Sequence, residues 1–133
     1  MATKFRRGKR GFTLIEMVIV ISLILVLLSI ALPMYNRSIV RSKEAKLHQN
    51  LVVLNEAISN YGLDKKKAPQ SLDDLVPAYI KFIPDDITGS NTWVTEQEDP
   101  QDAYDPNQTG IGSVHSGSKE MSTEGTEYST WTH

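Results

Sequence analysis

At 133 residues the chain is long enough for one small domain plus an extended element. It has no cysteine, which excludes disulfide staples and thiolate metal centres. The formal net charge of -2 conceals an asymmetry: residues 1–11 carry Lys4, Arg6, Arg7, Lys9 and Arg10 and no acid, whereas from Asp85 onward ten acids face one lysine, Lys119. That acidic half argues against nucleic acid as the main partner, because phosphate binding needs a basic footprint.

Residues 17–32 are uncharged and almost wholly aliphatic. With Pro33, Met34 and Tyr35 they approach the ~20 residues that a helix needs to span a bilayer. Ser22 and Ser29 can return their hydroxyls to the helix backbone. A buried soluble helix is excluded by size, since so small a protein has no core able to surround a helix that is apolar on every side. The basic cluster ahead of it places the N-terminus in the cytoplasm. Pro33 lacks an amide hydrogen and should kink or loosen the helix. The pattern then becomes amphipathic. Leu47, Leu51, Leu54, Ile58 and Tyr61 recur at helical spacing, with Lys46, Gln49, Asn50, Asn55 and Ser59 mostly elsewhere. Gly62 offers a left-handed stop, and residues 64–69 read as a linker. A helix over 12–61 would be roughly 75 Å long at ~1.5 Å per residue, more than a compact domain needs.

Ser71-Leu72-Asp73-Asp74 resembles a capping box and predicts a short helix to about Ala78, with Asp74 in place of the usual Glu. Residues 84–91 form a turn cluster. Thr92–Thr95, Ile111–Ser116 and Thr126–Trp131 suit strands, separated by an acidic loop over 96–110 and a loop over 117–125. The expected fold is therefore α+β: a long N-terminal helix, membrane-spanning in its first half and amphipathic in its second, packed on a small C-terminal antiparallel sheet. The expected segments are 1–11, 12–35, 36–62, and 63–133 with one helix and about three strands.

Lys9-Arg10-Gly11-Phe12-Thr13-Leu14-Ile15-Glu16, at the head of the apolar run, resembles the processing site of type IV pilins and type II secretion pseudopilins. The resemblance implies that 1–11 is a leader removed between Gly11 and Phe12 by a prepilin peptidase, and that Phe12 is then N-methylated. A glycine before the cut lets the peptidase approach the scissile bond closely. Pro33 matches the family's kink position. The resemblance also implies that Glu16 meets the freed N-terminal ammonium of an adjacent subunit, offsetting two charges that are costly in an apolar environment. Beyond the helix, Pro69–Leu75, Ile83–Gly89 with Trp93, Val114–Ser118 and Gly125–Trp131 look like the globular part of a major type II secretion pseudopilin. The implied partners are further copies of the chain in a helical polymer, minor pseudopilins, the peptidase, and an inner-membrane assembly platform with its ATPase. The implied location is the bacterial inner membrane, crossed once, with the globular domain periplasmic or extracellular after assembly. The implied function is a pseudopilus subunit that drives protein export, with a pilin of a surface pilus (adhesion, motility, DNA uptake) as the alternative.

Major pseudopilins often hold one calcium in the loop before the last strand. Here that loop offers Ser118, Glu120, Ser122 and Glu124, but the usual aspartate-glycine is missing and Lys119 intrudes. Calcium takes six to eight oxygens. Asp99, Asp102 and Asp105 lack a recognisable calcium-loop spacing. No catalytic constellation is expected: His115 and Ser116 are neighbours on a strand and point to opposite faces. His48 and His133 stand alone, and no nucleophile elbow or phosphate loop occurs. Two other readings remain open. Ser29-Ile30-Ala31 formally suits signal peptidase, giving a secreted binding protein with Leu32 first. A single-span anchored binding protein, enzyme or sensor would keep its N-terminus.

Overall fold

The computed structural model describes residues 11, 13–88 and 92–132. The chain divides into two compact units, Met1–Ser38 and Ile39–His133. One helix, α1 (Leu14–Lys65), contributes to both.

In the first unit every described residue of α1 is exposed, including Leu14, Ile19, Leu23, Leu27 and Leu32. This stretch is long and apolar enough to cross a membrane. The Ser22 hydroxyl donates to the Val18 carbonyl at 2.7 Å and Ser29 to Val26 at 2.6 Å, so neither serine leaves an unpaired hydroxyl in an apolar setting. Pro33 lies inside α1, which remains helical on both sides of it.

In the second unit the predicted stripe packs inward. Leu47, Leu51 and Leu54 are completely buried and Ile58 nearly so. Each such side chain contributes on the order of 1.5–3 kcal/mol. Leu54, Ala57 and Ile58 meet Leu75, Ile80, Ile111 and Val114. Leu47 and Leu51 meet Tyr128, flanked by Ile87 and Trp131. Trp93 borders both clusters, and its indole N–H donates to the Pro84 carbonyl at 2.6 Å. Tyr61 is half-buried, edge-on to Tyr79 at 5.5 Å.

The end of α1 differs from expectation. Gly62 is buried within the helix, which continues to Lys65. A Cβ on Gly62 would sit 3.0 Å from the exposed Tyr104 ring, and the backbone there is helical, not left-handed. The left-handed residue past the helix end is Lys66, with φ 54°. The next helix is shorter than predicted, a 3₁₀ turn over Leu72–Leu75. The Asp74 carboxylate accepts the Gln70 and Ser71 amides at 2.9 and 3.1 Å, as the capping pattern implied. Val76 is extended because it precedes Pro77, and that stops the helix short of Ala78.

Two strands occur among the described residues, β1 (Trp93–Gln97) and β2 (Ile111–Ser116), paired antiparallel with Trp93 opposite Ser116 and Thr95 opposite Val114. The register shifts between Glu96 and Gln97, leaving Gly112 as the extra residue of a bulge. A Cβ there would lie 3.0 Å from Glu98 backbone. Gly110 is tighter still, with the Pro69 carbonyl oxygen 2.6 Å from where its Cβ would be.

The strand expected over Thr126–Trp131 is instead a 3₁₀ turn, Tyr128–Thr130. Two causes are visible. The outward N–H and C=O of Val114 on β2 are already taken by the Asn55 side chain, at 3.0 and 3.3 Å, so the outer edge of β2 is occupied at that position. The hydroxyls of Ser129 and Thr130 also turn back to Glu127, at 3.1 and 2.7 Å. Among the described residues, 126–131 form one isolated bridge, Glu127 with Met121, in the segment expected to be a loop. Asn55 thus lies on the packed flank of α1, and also donates to the Thr132 carbonyl at 2.8 Å.

Candidate functional site

Gly11 is exposed, and a Cβ built on it meets nothing within 4 Å. The fold therefore supplies no reason for glycine here. Phe12 and residues 1–10 lie outside the described residues. Thr13 and Glu16 cap α1 reciprocally: the Glu16 carboxylate accepts the Thr13 amide at 3.2 Å, and the Thr13 hydroxyl accepts the Glu16 amide at 3.3 Å. A negative charge in the first turn also suits the positive end of the helix dipole. The Thr-x-x-Glu spacing carried this local role in plain view, beside the assembly role inferred from resemblance.

The loop considered for calcium is a small hairpin. Ser122 donates its amide to the Thr126 carbonyl at 2.7 Å, and Gly125 donates to Ser122 at 3.1 Å with a φ of 81°. A left-handed glycine after a tight turn is the usual way to close a three-residue hairpin. The Ser118 hydroxyl accepts the Glu120 amide at 3.3 Å. The Ser122 hydroxyl accepts the Glu124 and Thr126 amides at 3.2 and 3.3 Å. Glu120 and Glu124 are exposed. Among the described residues no three carboxylate or imidazole side chains gather closely enough to hold a metal ion. With the serines committed to their own turns, this side-chain set does not fit calcium's six to eight oxygens. In the acidic loop Asp99 and Asp105 likewise serve local turns, accepting the Gln101 and Asn107 amides at 3.0 and 2.9 Å.

What the hairpin tip does meet is Glu44. This residue sits three positions before Leu47, in line with the apolar stripe, and is only 7% exposed. Its carboxylate accepts the Thr123 amide at 2.7 Å, the Thr123 hydroxyl at 2.5 Å and the Tyr128 hydroxyl at 2.9 Å. Burial pushes the carboxyl up, but the hydrogen bonds from Thr123 and Tyr128 and the charge of Arg41 outweigh it and hold Glu44 below its usual value. Tyr128 responds in the opposite sense. Its own burial, the hydrogen bond to Glu44 and the nearby negative charges push its hydroxyl up to about 12. Beside the pair runs an open groove of about 730 Å³, lined among others by Arg41, His48, Glu124 and Trp131. Sequence reasoning missed Glu44, although its three-residue offset from Leu47 placed an acid in the buried stripe.

A second buried acid, Asp86, is 1% exposed. It accepts the Ser116 hydroxyl at 2.5 Å, and the Thr88 hydroxyl and amide at 2.6 and 3.0 Å, tying the turn after Pro84 to the end of β2. The neighbouring His115 ring faces elsewhere, with Nε2 3.5 Å from Glu96. The Ser116 hydroxyl and the His115 ring therefore do not meet each other, as strand alternation requires, although the ring Nδ1 lies 2.9 Å from the Ser116 carbonyl.

Comparison with known proteins matches residues 6–32 to the prokaryotic N-terminal methylation motif. Type II secretion system core protein G of Escherichia coli (strain K12) is 32% identical over 114 residues, covering 73% of this chain and 78% of that protein. The chain belongs to this type IV pilin-like family. A type IV major fimbrial protein, FimA of Dichelobacter nodosus, is 39% identical over 62 residues, 47% of this chain and 39% of that protein. The pilin-like chain thus spans well under half the length of FimA and most of core protein G. No solved structure matches. The family resemblance read from Lys9–Glu16 and the α+β architecture are both correct.

Proposed function

We propose that this chain is a structural subunit of a type II secretion pseudopilus. In this reading it is cleaved between Gly11 and Phe12 by a prepilin peptidase and N-methylated on Phe12. It is stored as a single-pass protein of the inner membrane, with a cytoplasmic N-terminus and its globular domain on the far side. It then polymerises to drive protein export, with minor pseudopilins, the assembly platform and the ATPase as partners. Glu16 pairs with the freed ammonium of a neighbouring copy and sets the axial register. Until then, the capping box with Thr13 gives the carboxylate a local hydrogen-bond partner. Pro33, which removes one backbone hydrogen bond, marks where α1 can loosen during extraction.

The observation that carries the secretion reading is the extent of the match to core protein G. Residues 1–65 are about half of the chain, so similarity over 73% of it must reach past α1 into the globular part. The FimA match favours a surface-pilus subunit as the second reading, over a shorter stretch. Deleting the gene and scoring protein export and surface pili separately divides the two. Lost export with intact pili is expected; lost pili with normal export would sink the pseudopilus reading. N-terminal sequencing of the mature protein should return methylated Phe12.

A further inference from the structure

The segment from Ser118 to Thr132 is poorly supplied with apolar anchors. Its apolar anchors, Tyr128 and the partly buried Trp131, lie at its C-terminal end, while Met121 is 61% exposed and the hairpin tip over 122–125 is serine, threonine, glutamate and glycine. Such a tip cannot hold itself down by hydrophobic burial. It is held by one carboxylate reaching out of the α1 stripe. Glu44 gathers two donors from Thr123 at the tip and one from Tyr128 at the following 3₁₀ turn, so it grips the segment at two points five residues apart. We infer that Glu44 is the organising residue of the 118–132 segment, ordering it through accepted hydrogen bonds so that the folded loop needs no divalent cation.

The chemistry is the inverse of a cation site. A metal ion orders a loop by collecting oxygens around a positive centre; here a negative centre on the helix collects N–H and O–H donors from the loop. Both carboxylate oxygens of Glu44 are engaged, and Arg41 balances its charge from the same helix. A cation taking Glu44 as a ligand would have to compete with three hydrogen bonds to an ionised group, a strong class of hydrogen bond. The nearby Glu120 and Glu124 are exposed. They would bring their charge from solvent without a preformed geometry.

The test is amide hydrogen exchange on the full chain in detergent micelles, with calcium chloride or with EGTA. Protection of the Thr123 amide and its neighbours over 118–126 should be the same in both conditions. Glu44→Ala should lower that protection by about tenfold or more, the scale of losing one hydrogen bond to a charged group, while Val94 on β1, opposite His115 in the ladder, stays protected. Should Glu44→Ala fail to fold, Thr123→Val and Tyr128→Phe each remove one hydroxyl and leave the apolar core in place. Each should then show a local loss over 118–126. Calcium-dependent protection of the wild-type loop would overturn the inference. So would unchanged protection in Glu44→Ala, or in both hydroxyl variants.

Discussion

Replacing Asn55 with alanine should clearly destabilise the Ile39–His133 unit. The side chain makes three hydrogen bonds: it accepts the Val114 amide and donates to the Val114 and Thr132 carbonyls. At about 0.5–1 kcal/mol net per bond, with some further cost for leaving the backbone groups of buried Val114 unpaired, the loss is about 2–3 kcal/mol. Alanine's better helix propensity returns roughly 0.5 kcal/mol. For a unit of this size each kcal/mol moves the midpoint by about 4–8 °C, so a fall of roughly 10–15 °C is expected. Thermal unfolding followed by tryptophan fluorescence suits the question, because the two tryptophans, Trp93 and Trp131, both belong to that unit. Gln49→Ala, on the exposed side of the same helix, is the control and should shift stability by less than about 0.5 kcal/mol. If Asn55→Ala and Gln49→Ala unfold at the same temperature, the account of the β2 edge is wrong.

Gly110→Ala should cost about 1–3 kcal/mol in denaturant unfolding, since its Cβ would press on the Pro69 carbonyl oxygen; a neutral result would contradict the packing at that corner. Gly62→Ala should be neutral or stabilising by up to about 1 kcal/mol, because the ring it meets belongs to the half-exposed Tyr104, which can move aside, and alanine favours helix. Glu44 has a lowered pKa in the folded state, so its contribution is complete above the ordinary value of 4.5 and disappears as pH falls through the depressed one. Tyr128 has a raised pKa, so its contribution is complete below pH 10 and is lost as pH climbs towards 12. Glu44→Gln should flatten the acid limb of a stability–pH profile and Tyr128→Phe the alkaline limb. Glu16→Ala should leave the thermal midpoint of the globular unit unchanged while abolishing filaments seen by electron microscopy, and normal filaments would refute its assembly role.

The elements set by long periodic patterns were legible in the residues alone. The uncharged run 17–32 and the stripe from Leu47 to Ile58 are signals repeated over many turns, so no tertiary contact could override them. The strands Trp93–Gln97 and Ile111–Ser116 were also legible, within a residue or two. What was not legible depended on partners distant in sequence. Thr126–Trp131 has strand-like composition, but whether it becomes a strand depends on an open edge, and Asn55, more than 70 residues earlier, occupies that edge. Gly62 looked like a stop, and nothing local foretells the Tyr104 ring beside it. Glu44 was overlooked for a different reason. Its position in the stripe was readable, but an acid in an apolar stripe makes sense only once Thr123 and Tyr128 are seen to meet it. At the N-terminus the capping pair Thr13 and Glu16 was fully encoded locally.

The fully exposed first stretch of α1 also constrains how the protein can travel. From Leu14 to Tyr35 nearly every residue is a large hydrophobe with about half or more of its surface uncovered. At ~1.5–3 kcal/mol for each side chain kept from burial, leaving that surface in water would cost on the order of tens of kcal/mol. A dissolved monomer is therefore too rare to serve as an intermediate. Movement from one apolar host to the next has to be a direct transfer, with the old surroundings released only as the new ones close in. On the proposed reading, the supply of molecules is then set by diffusion within a sheet of lipid, and the relevant concentration is a number per area rather than per volume.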